Sequence, residues 1–363
     1  MKNPFRAFLK ASRMLSAALV LQRMALSPEP TPKRAKARAK PPKTRPRSMF
    51  PSPTRPAPGT FVDEQFSSPN GRLAYKLYTP QGSTRRRLPL VVMLHGCTQS
   101  AADFAIGTRM NKLADEFGFL VLYPQQSASA NLGRCWNWHR PGDQKRGSGE
   151  PAVIAALTRH MITTCKANTE RVYIAGISAG GAAAAIIASA YPELYVAVGV
   201  HSGVAHGNVS TLRGALSAMR TGKGVGAAGN PARPVPTIVF HGDQDSVVHP
   251  SNATGFLTHL RRSSSRSISS RAEKGRSSGG RDFTRTMYGY GAAEVLLEDW
   301  IVHGSGHAWS GGSAVGSHTD PAGPDASREM VRFFLARKHP GAGSVRARSR
   351  APEKNRLTID AAQ

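Results

Sequence analysis

The hydrophobic residues in the central part of the chain fall into short continuous runs separated by amphipathic stretches. The first run, Leu88–Leu94, ends at His95-Gly96 and is typical of a strand that is buried on both faces. Further strands are predicted at Phe119–Tyr123, Arg171–Ala175, Ala197–His201, Pro236–Phe240 and Leu296–Val302. Helices are predicted at Phe104–Phe117, Pro151–Cys165, Gly180–Ala190 and Met330–Ala336. Strands alternating with helices predict one α/β domain, with a mostly parallel sheet covered by helices on both faces.

The pattern places this domain at residues 61–338, between a basic, proline-rich leader at 1–60 and a basic tail at 339–363. The leader and the tail are expected to be disordered, because such compositions bury too little apolar surface to offset chain entropy. Two internal segments, Ala205–Arg233 and the Ser/Arg-rich Arg261–Arg285, are too long for ordinary connections. We expect them to be lids, cap segments or disordered loops, the basic one solvated and mobile.

The formal net charge of +27 suggests a nucleic-acid partner, but its distribution argues against one. The segments 1–60, 261–285 and 337–363 carry +13, +6 and +5, so the rest of the chain is nearly neutral. Hydrophobic residues make up 40% of the sequence, which is enough for a sizeable core. No run of 18 uncharged apolar residues occurs, which excludes a membrane-spanning helix. We therefore expect no specific nucleic-acid partner.

The first twenty residues fit three interpretations. Lys2, Arg6, Lys10 and Arg13 recur every three or four residues among apolar side chains, as in a basic amphipathic helix that lies on a membrane or another anionic surface. A basic start followed by the short apolar stretch Met14–Leu21 is also typical of a secretory signal, although Gln22 and Arg23 end that stretch early. The third interpretation is a disordered leader.

The strongest chemical signal is Gly176-Ile177-Ser178-Ala179-Gly180, which lies between a predicted strand and a predicted helix. A serine exposed on such a tight turn requires small neighbours, and Gly176, Ala179 and Gly180 meet that requirement. We interpret Ser178 as a catalytic nucleophile. The alternative is a helix start rich in glycine and alanine that packs against the sheet.

A nucleophilic serine needs a histidine base and a carboxylate that fixes the tautomer of the histidine. The glycine-flanked serine turn resembles that of α/β-hydrolases, in which these partners follow the serine along the chain, each on a loop after a strand. Asp243 and Asp245 follow the fifth predicted strand, and His303 and His307 follow the sixth. His307 is the better base because it lies in a glycine-rich loop, whereas His303 ends the strand. Three other histidines also end strands, and for them structural hydrogen bonding is the default: His95, His201 and His241.

Two backbone N–H groups should form an oxyanion hole, one from the residue after the nucleophile and one from the loop after the first strand. Ala179 fits the first role and Cys97 the second. Three of the four tryptophans lie in or near these motifs, and they either form an apolar substrate cleft or pack in the ordinary way: Trp136, Trp138 and Trp309.

The three cysteines do not have the spacing of a metal site, so no metal is expected. One pair can form and leave an odd thiol. The side chain of Cys97 is either a small buried filler or half of a disulfide with Cys135, and both are compatible with N–H donation at residue 97.

Residues from about 67 to 338 resemble the poly(3-hydroxybutyrate) depolymerase-type esterases of the α/β-hydrolase superfamily. Six blocks in the same order carry the resemblance: Leu94–Gln99, Cys135–Trp138, Gly149–Pro151, Gly176–Gly181, His241–Asp245 and Gly306–Gly312. The resemblance implies the α/β-hydrolase fold, with Ser178 as nucleophile, Asp245 rather than Asp243 as the orienting carboxylate, and His307 as base. It implies no metal or organic cofactor.

The resemblance implies a substrate that is an ester of a short hydroxy acid, either as the polymer or as oligomers. Related members remove feruloyl or acetyl groups from plant polysaccharides, so a carbohydrate esterase is the alternative. It also implies secretion to the extracellular region, with a cytoplasmic, granule-associated enzyme as the other possibility. In that case the basic leader would contact the granule. The leader and the Ser/Arg-rich segment 261–285 depart from the family pattern.

Overall fold

The computed structural model describes residues 59–82, 87–205, 209–222, 234–291 and 294–339. The predicted N-terminal amphipathic helix, nearly all of the leader and nearly all of the tail lie outside these residues. Secondary structure extends from Thr60 to Leu335. Within the described residues, every helix is too short or too polar to cross a bilayer.

In the described part of the chain, ten strands form one sheet, in the order β1-β2-β4-β3-β5-β6-β7-β10-β9-β8. Their bounds are β1 Thr60–Ser68, β2 Gly71–Thr79, β3 Leu90–Leu94, β4 Leu120–Gln125, β5 Val172–Ile177, β6 Ala197–His201, β7 Thr237–Gly242, β8 Ser269–Arg276, β9 Asp282–Gly289 and β10 Val295–Val302. A two-stranded ribbon pairs β11 Trp309–Ser310 with β12 Thr319–Asp320. The six central strands run parallel, and two antiparallel strands flank them on each side. The six predicted strands are these central ones, so the mostly parallel sheet is confirmed.

Seven α-helices lie in the described residues: α1 Ala101–Thr108, α2 Met110–Phe117, α3 Gly149–Thr164, α4 Ala179–Ala190, α5 Leu212–Thr221, α6 Thr254–Ser263 and α7 Ala326–Leu335. Along β5, Tyr173 and Ala175 join a core cluster with residues of α1, α2 and α7. Their neighbours Val172 and Ile174 point to the other face and are equally buried. Helices therefore cover both faces, which explains why these strands are continuously apolar.

The predicted helix at Phe104–Phe117 is two helices, because Arg109 interrupts it. Arg109 has a left-handed backbone conformation, with φ of 55°, and its N–H bonds to Ala105 O to close α1. The Arg109 guanidinium contacts Gly311 O and the Asp325 carboxylate. The break thus allows Arg109 to contact residues far along the chain. The local sequence gives no indication of these contacts, so the break could not be predicted from it.

The expectation that Arg261–Arg285 is a mobile loop, a lid or a disordered segment is wrong. It begins in the last turn of α6, forms β8 and continues into β9, and the resulting hairpin extends the sheet beyond β10. Its charges are paired on the exposed hairpin, as in Arg271–Glu273 and Arg276–Asp282. Charged side chains are typical of an edge strand, where they oppose pairing with other chains.

The other long segment, Ala205–Arg233, is only partly described. It contains α5, whose first turn is capped by the Thr211 hydroxyl accepting the N–H of Gly214. Residues 206–208 and 223–233 lie outside the described residues, so the lid or cap interpretation stays a prediction for them.

A buried carboxylate on the central sheet forms ion pairs that link the hairpin to the sheet. Glu298 on β10 is 2% exposed, and its carboxylate accepts hydrogen bonds from Arg285 on β9 and Arg332 on α7. Burial opposes ionisation of Glu298, but the bonds from Arg332 and Arg285 lower its pKa below the ordinary value. The carboxylate therefore stays charged and joins three elements.

Replacing Glu298 by alanine should reduce the free energy of unfolding by about 3–5 kcal/mol, because two guanidinium groups lose their buried partner. The matched control is Glu294→Ala, which removes an exposed carboxylate paired with Arg266 and should cost less than about 1 kcal/mol. Urea unfolding followed by circular dichroism measures both. Equal losses in the two variants would contradict the role assigned to Glu298.

Candidate active site

Ser178 occupies a strained turn between β5 and α4, with φ of 56° and ψ of −122°. The turn is possible because its glycines lack a Cβ, which lets neighbouring backbone segments approach closely. A Cβ at Gly180 would lie 2.2 Å from Leu94 O, and one at Gly176 would lie 2.4 Å from the carbonyl carbon of Gly180. The sequence requirement for small residues around Ser178 therefore has a direct steric cause.

Asp245 and His307 are joined by a hydrogen bond, with 2.8 Å between Asp245 Oδ2 and His307 Nδ1. Asp245 Oδ1 accepts the N–H groups of Val247 and Val248, each at 2.9 Å. Burial opposes ionisation of Asp245, but hydrogen bonds from His241 and His307 and from the Val248 N–H hold its pKa well below the ordinary range. Because Nδ1 of His307 donates to a permanent anion, its Nε2 is left as a proton acceptor.

The rival residues form a separate pair. His303 Nδ1 lies 2.9 Å from Asp243 Oδ2, and neither residue takes part in the bond between Asp245 and His307. The structure thus brings together the carboxylate and the imidazole that the resemblance selects.

His201 connects the serine turn to the loop that carries His307. The Ser178 N–H donates to His201 O at 2.9 Å, and the Ser310 N–H donates to His201 Nε2 at 2.9 Å. Burial, followed by the nearby His241 and His307, lowers the pKa of His201 to about 3. A neutral imidazole at this position is what lets Nε2 accept from Ser310.

The loop after β3 lies against the serine turn and carries the predicted donor Cys97. His95 Nδ1 donates to Gly96 O at 2.8 Å, while Gln99 Oε1 accepts the Gly96 N–H at 2.9 Å. The C=O and N–H of a trans peptide point in opposite directions, so fixing Gly96 O aims the N–H of Cys97 away from His95. The N–H of Ala179 is among the first in α4, where it has no partner within the helix.

A disulfide joins Cys97 to Cys135, and Cys165 is a free thiol. The alternative of a free, buried Cys97 is therefore wrong. Beside the disulfide, the Thr98 N–H donates to Gly133 O at 2.7 Å. The disulfide and this bond together attach the loop after β3 to the segment around residue 133.

Of the two interpretations of the tryptophans, an apolar cleft or ordinary packing, the structure favours packing, because all three side chains are buried. Trp309 is 1% exposed and stacks on His201, with its Nε1 donating to Ser327 Oγ. Trp136 is 1% exposed and donates Nε1–H to His95 O, and Trp138 is 7% exposed. Trp136 also borders a cavity of about 500 Å³ that residues of β2 and α3 help to line. The rings support the loops of the site instead.

Residues 73–276 match a family model described as Esterase PHB depolymerase. The chain belongs to this family. The sequence relatives include poly(3-hydroxyalkanoate) depolymerase C of Paucimonas lemoignei, which is 30% identical over an alignment of 253 residues that covers 67% of this chain and 60% of that protein. Feruloyl esterase B of Neurospora crassa is 35% identical over 130 residues, covering 36% of this chain and 42% of the relative. The matches thus span less than two thirds of these curated relatives.

Solved structures agree on the fold. The acetyl xylan esterase from Aspergillus awamori superposes with a TM-score of 0.59 at 20% identity, over 76% of this chain and 99% of that one. The architecture is the α/β-hydrolase fold. In the residues that the structure describes, no group of three or more His, Cys, Asp or Glu side chains could hold a metal ion.

The family block Gly149–Pro151 contains a residue whose role the sequence did not indicate. The Glu150 carboxylate accepts the backbone and side-chain N–H groups of Asn137 and the side-chain N–H of Gln126. Burial, followed by the charge of Asp143, raises the pKa of Glu150 to about 7 against these bonds. Glu150 therefore holds the loop that contains Trp136 and Trp138. A single glutamate before a proline does not indicate, in the sequence, that its carboxylate will bind a neighbouring loop.

The buried His201 should make the protein less stable in mild acid. Below about pH 6.5 the unfolded imidazole binds a proton, whereas the folded one, with its lowered pKa, stays neutral. Lowering the pH from 7 to 5 should therefore remove on the order of 2 kcal/mol of stability through this residue. His201→Gln keeps an acceptor for Ser310 but does not titrate, so its stability should fall less over the same interval. Urea titrations at both pH values measure the difference, and identical losses would contradict the assignment.

The disulfide should contribute substantially to stability because it closes a segment of 38 residues. Joint replacement of Cys97 and Cys135 by alanine should lower the free energy of unfolding by about 4 kcal/mol through the entropy of the unfolded chain. Cys165→Ala is the control and should change it little. Denaturation midpoints measured without reductant test this prediction, and a double variant as stable as the control would refute it.

Proposed function

We propose that this protein is a serine-dependent carboxylic ester hydrolase that works through an acyl-enzyme. The observation that carries the proposal is the bond of 2.8 Å between Asp245 and His307. Both residues lie on loops that follow parallel strands of the sheet, and Ser178 directly follows another parallel strand, β5. A buried, ionised carboxylate on Nδ1 and a free Nε2 are what a general base for a serine requires. Membership in the esterase family supports the same chemistry.

In this mechanism, Ser178 Oγ attacks the ester carbonyl while His307 Nε2 takes its proton. Asp245 keeps its negative charge and stabilises the imidazolium that forms. The N–H groups of Cys97 and Ala179 receive the negative charge on the carbonyl oxygen. His307 then protonates the departing alcohol, and in the second half-reaction it deprotonates the water that releases the acid from Ser178.

For the substrate, we propose an ester of a short hydroxy acid, as oligomers or polymer of the 3-hydroxybutyrate type. The family and the match to a poly(3-hydroxyalkanoate) depolymerase support this choice. The second candidate is an acyl group on a plant polysaccharide, which the matches to feruloyl and acetylxylan esterases favour. Both share the acyl-enzyme and differ only in the groups flanking the ester.

Replacing Ser178 by alanine should lower kcat for an activated butyrate ester by at least about 10⁴-fold, because the nucleophile is lost. Thermal unfolding should be nearly unchanged, since the methyl group of alanine fits the same turn. The control is Ser202→Ala, a serine one strand away that is bonded to His201 rather than placed on the turn. Retained activity in the Ser178 variant would reject the proposed nucleophile.

The substrate is tested on the same preparations. Release of 3-hydroxybutyrate from amorphous polymer and short oligomers, abolished by Ser178→Ala, would establish the first candidate. Cleavage of simple butyrate esters together with feruloyl or acetylated xylan oligomers, but not of the polyester, would establish the second.

A further inference from the structure

A second carboxylate–imidazole pair lies beside the first. Asp243 and His303 precede Asp245 and His307 by two and four residues, and His303 Nδ1 lies 2.9 Å from Asp243 Oδ2. The pair continues to a hydroxyl, because His303 Nε2 lies 2.9 Å from Thr284 Oγ1 on β9. With the Nδ1 proton donated to Asp243, Nε2 is the acceptor and the Thr284 hydroxyl is the donor.

This array of hydroxyl, imidazole and carboxylate does not have the surroundings of a second hydrolytic site. Thr284 lies within β9 and is paired with Ile301 on one side and Lys274 on the other. The backbone around it is therefore engaged in the sheet and unavailable to an oxyanion. The His303 and Asp243 side chains are 42% and 38% exposed, which also differs from the enclosed Asp245.

The array instead connects the two loops that carry Asp245 and His307. Asp243 Oδ1 accepts the Gly304 N–H at 2.7 Å, so both carboxylate oxygens of Asp243 bond to the neighbouring loop. Backbone bonds reinforce the contact, from the Asp243 N–H to Val302 O and from the Gln244 N–H to Ser305 O. The loops are so close that a Cβ at Gly242 would lie 2.2 Å from Ser305 O.

Thr284 brings the hairpin into this arrangement. Strand β9 pairs directly with β10, the strand that leads into the His307 loop, and the His303 N–H donates to Asp282 O at 2.9 Å. The Thr284 hydroxyl fixes the ring of the same histidine. The Ser/Arg-rich segment that the sequence suggested to be mobile is thus bonded through its second strand to the loop of the proposed base.

We infer that Asp243, His303 and Thr284 are positioning residues that hold the Asp245 loop and the His307 loop in register, so that His307 stays bonded to Asp245 with Nε2 aimed at the serine. This inference rests on the proposed function of His307. According to this inference, the β8–β9 hairpin stabilises the positions of the two loops that carry Asp245 and His307.

The first experiment uses variants that change one hydroxyl. Thr284→Val keeps the shape of the side chain but removes the donor to His303, and it should lower kcat several-fold, about 3- to 10-fold, with KM unchanged. Thr284→Ser restores the hydroxyl and should restore kcat. The matched control is Thr286→Val, on the same strand two residues on, which should leave kcat at the wild-type level. A Thr284→Val enzyme with wild-type kcat would overturn the inference, as would equal losses in both valine variants.

The second experiment tests whether the effect passes through His307. Asp243→Ala and His303→Gln should each lower kcat by roughly 10- to 100-fold, because a misplacement of about 1 Å has effects of that size. In a His307→Ala background the same changes should cost nothing further, since the group they position is gone. A full additional loss in that background would show that these residues act elsewhere and would overturn the inference.

A third measurement needs no substrate. The proton between His307 Nδ1 and Asp245 should give a protected low-field resonance in the proton NMR spectrum, which His307→Ala identifies by removing it. The resonance should persist in Ser178→Ala and broaden or disappear in Asp243→Ala, and an unchanged resonance in Asp243→Ala would overturn the inference. If Ser178→Ala retained esterase activity, the proposed function would fail, yet this spectrum would still show whether the two loops are held by Asp243.

Discussion

Asp245 has no exposed side-chain surface, and its negative charge must therefore be stabilised by the protein alone. Two backbone N–H groups hold one oxygen and His307 holds the other. His241 lies behind the carboxylate, with Nε2 bonded to Val248 O at 2.7 Å and 3.5 Å from Asp245 Oδ2. Without these groups the carboxylate would be protonated or solvated, and His307 would lose the anion that fixes its tautomer. The backbone contacts at Gly242 and the paired loops serve this one requirement.

The central sheet and the serine turn could be predicted from the sequence because their causes are local. A strand buried on both faces must be apolar throughout, as Leu90–Leu94 is, and a serine turn must have glycine where backbones touch. The choice of Asp245 over Asp243 could not be made from the local sequence pattern alone. Both residues follow the same strand, and they differ in burial and in their histidine partners, which only the folded structure shows.

The hairpin and the tryptophans show where local reasoning fails. The segment around β8 is rich in Ser and Arg, and composition alone indicates a solvated loop. What orders it is the pairing of β9 with β10 and the buried carboxylate of Glu298, which binds Arg285 and Arg332. Likewise, Trp309 follows the proposed base by two residues, which suggested a cleft. Its ring turns inward because His201, Phe104 and Ser327 offer it a packed and hydrogen-bonded position.

The contacts of Gln99 determine when, during synthesis of the chain, the loop after β3 can take its final form. Its side chain holds the Gly96 N–H with one atom and Ser317 with the other, so the loop after β3 is completed by a residue 218 positions further along the chain. The Ser327 hydroxyl is bonded to Thr108 O over a similar separation. A growing polypeptide that has not yet released its last helix from the ribosome lacks these supports. The loop that carries Cys97 can therefore reach its final arrangement only after Ser317 has been synthesised, so the proposed site is completed late in translation.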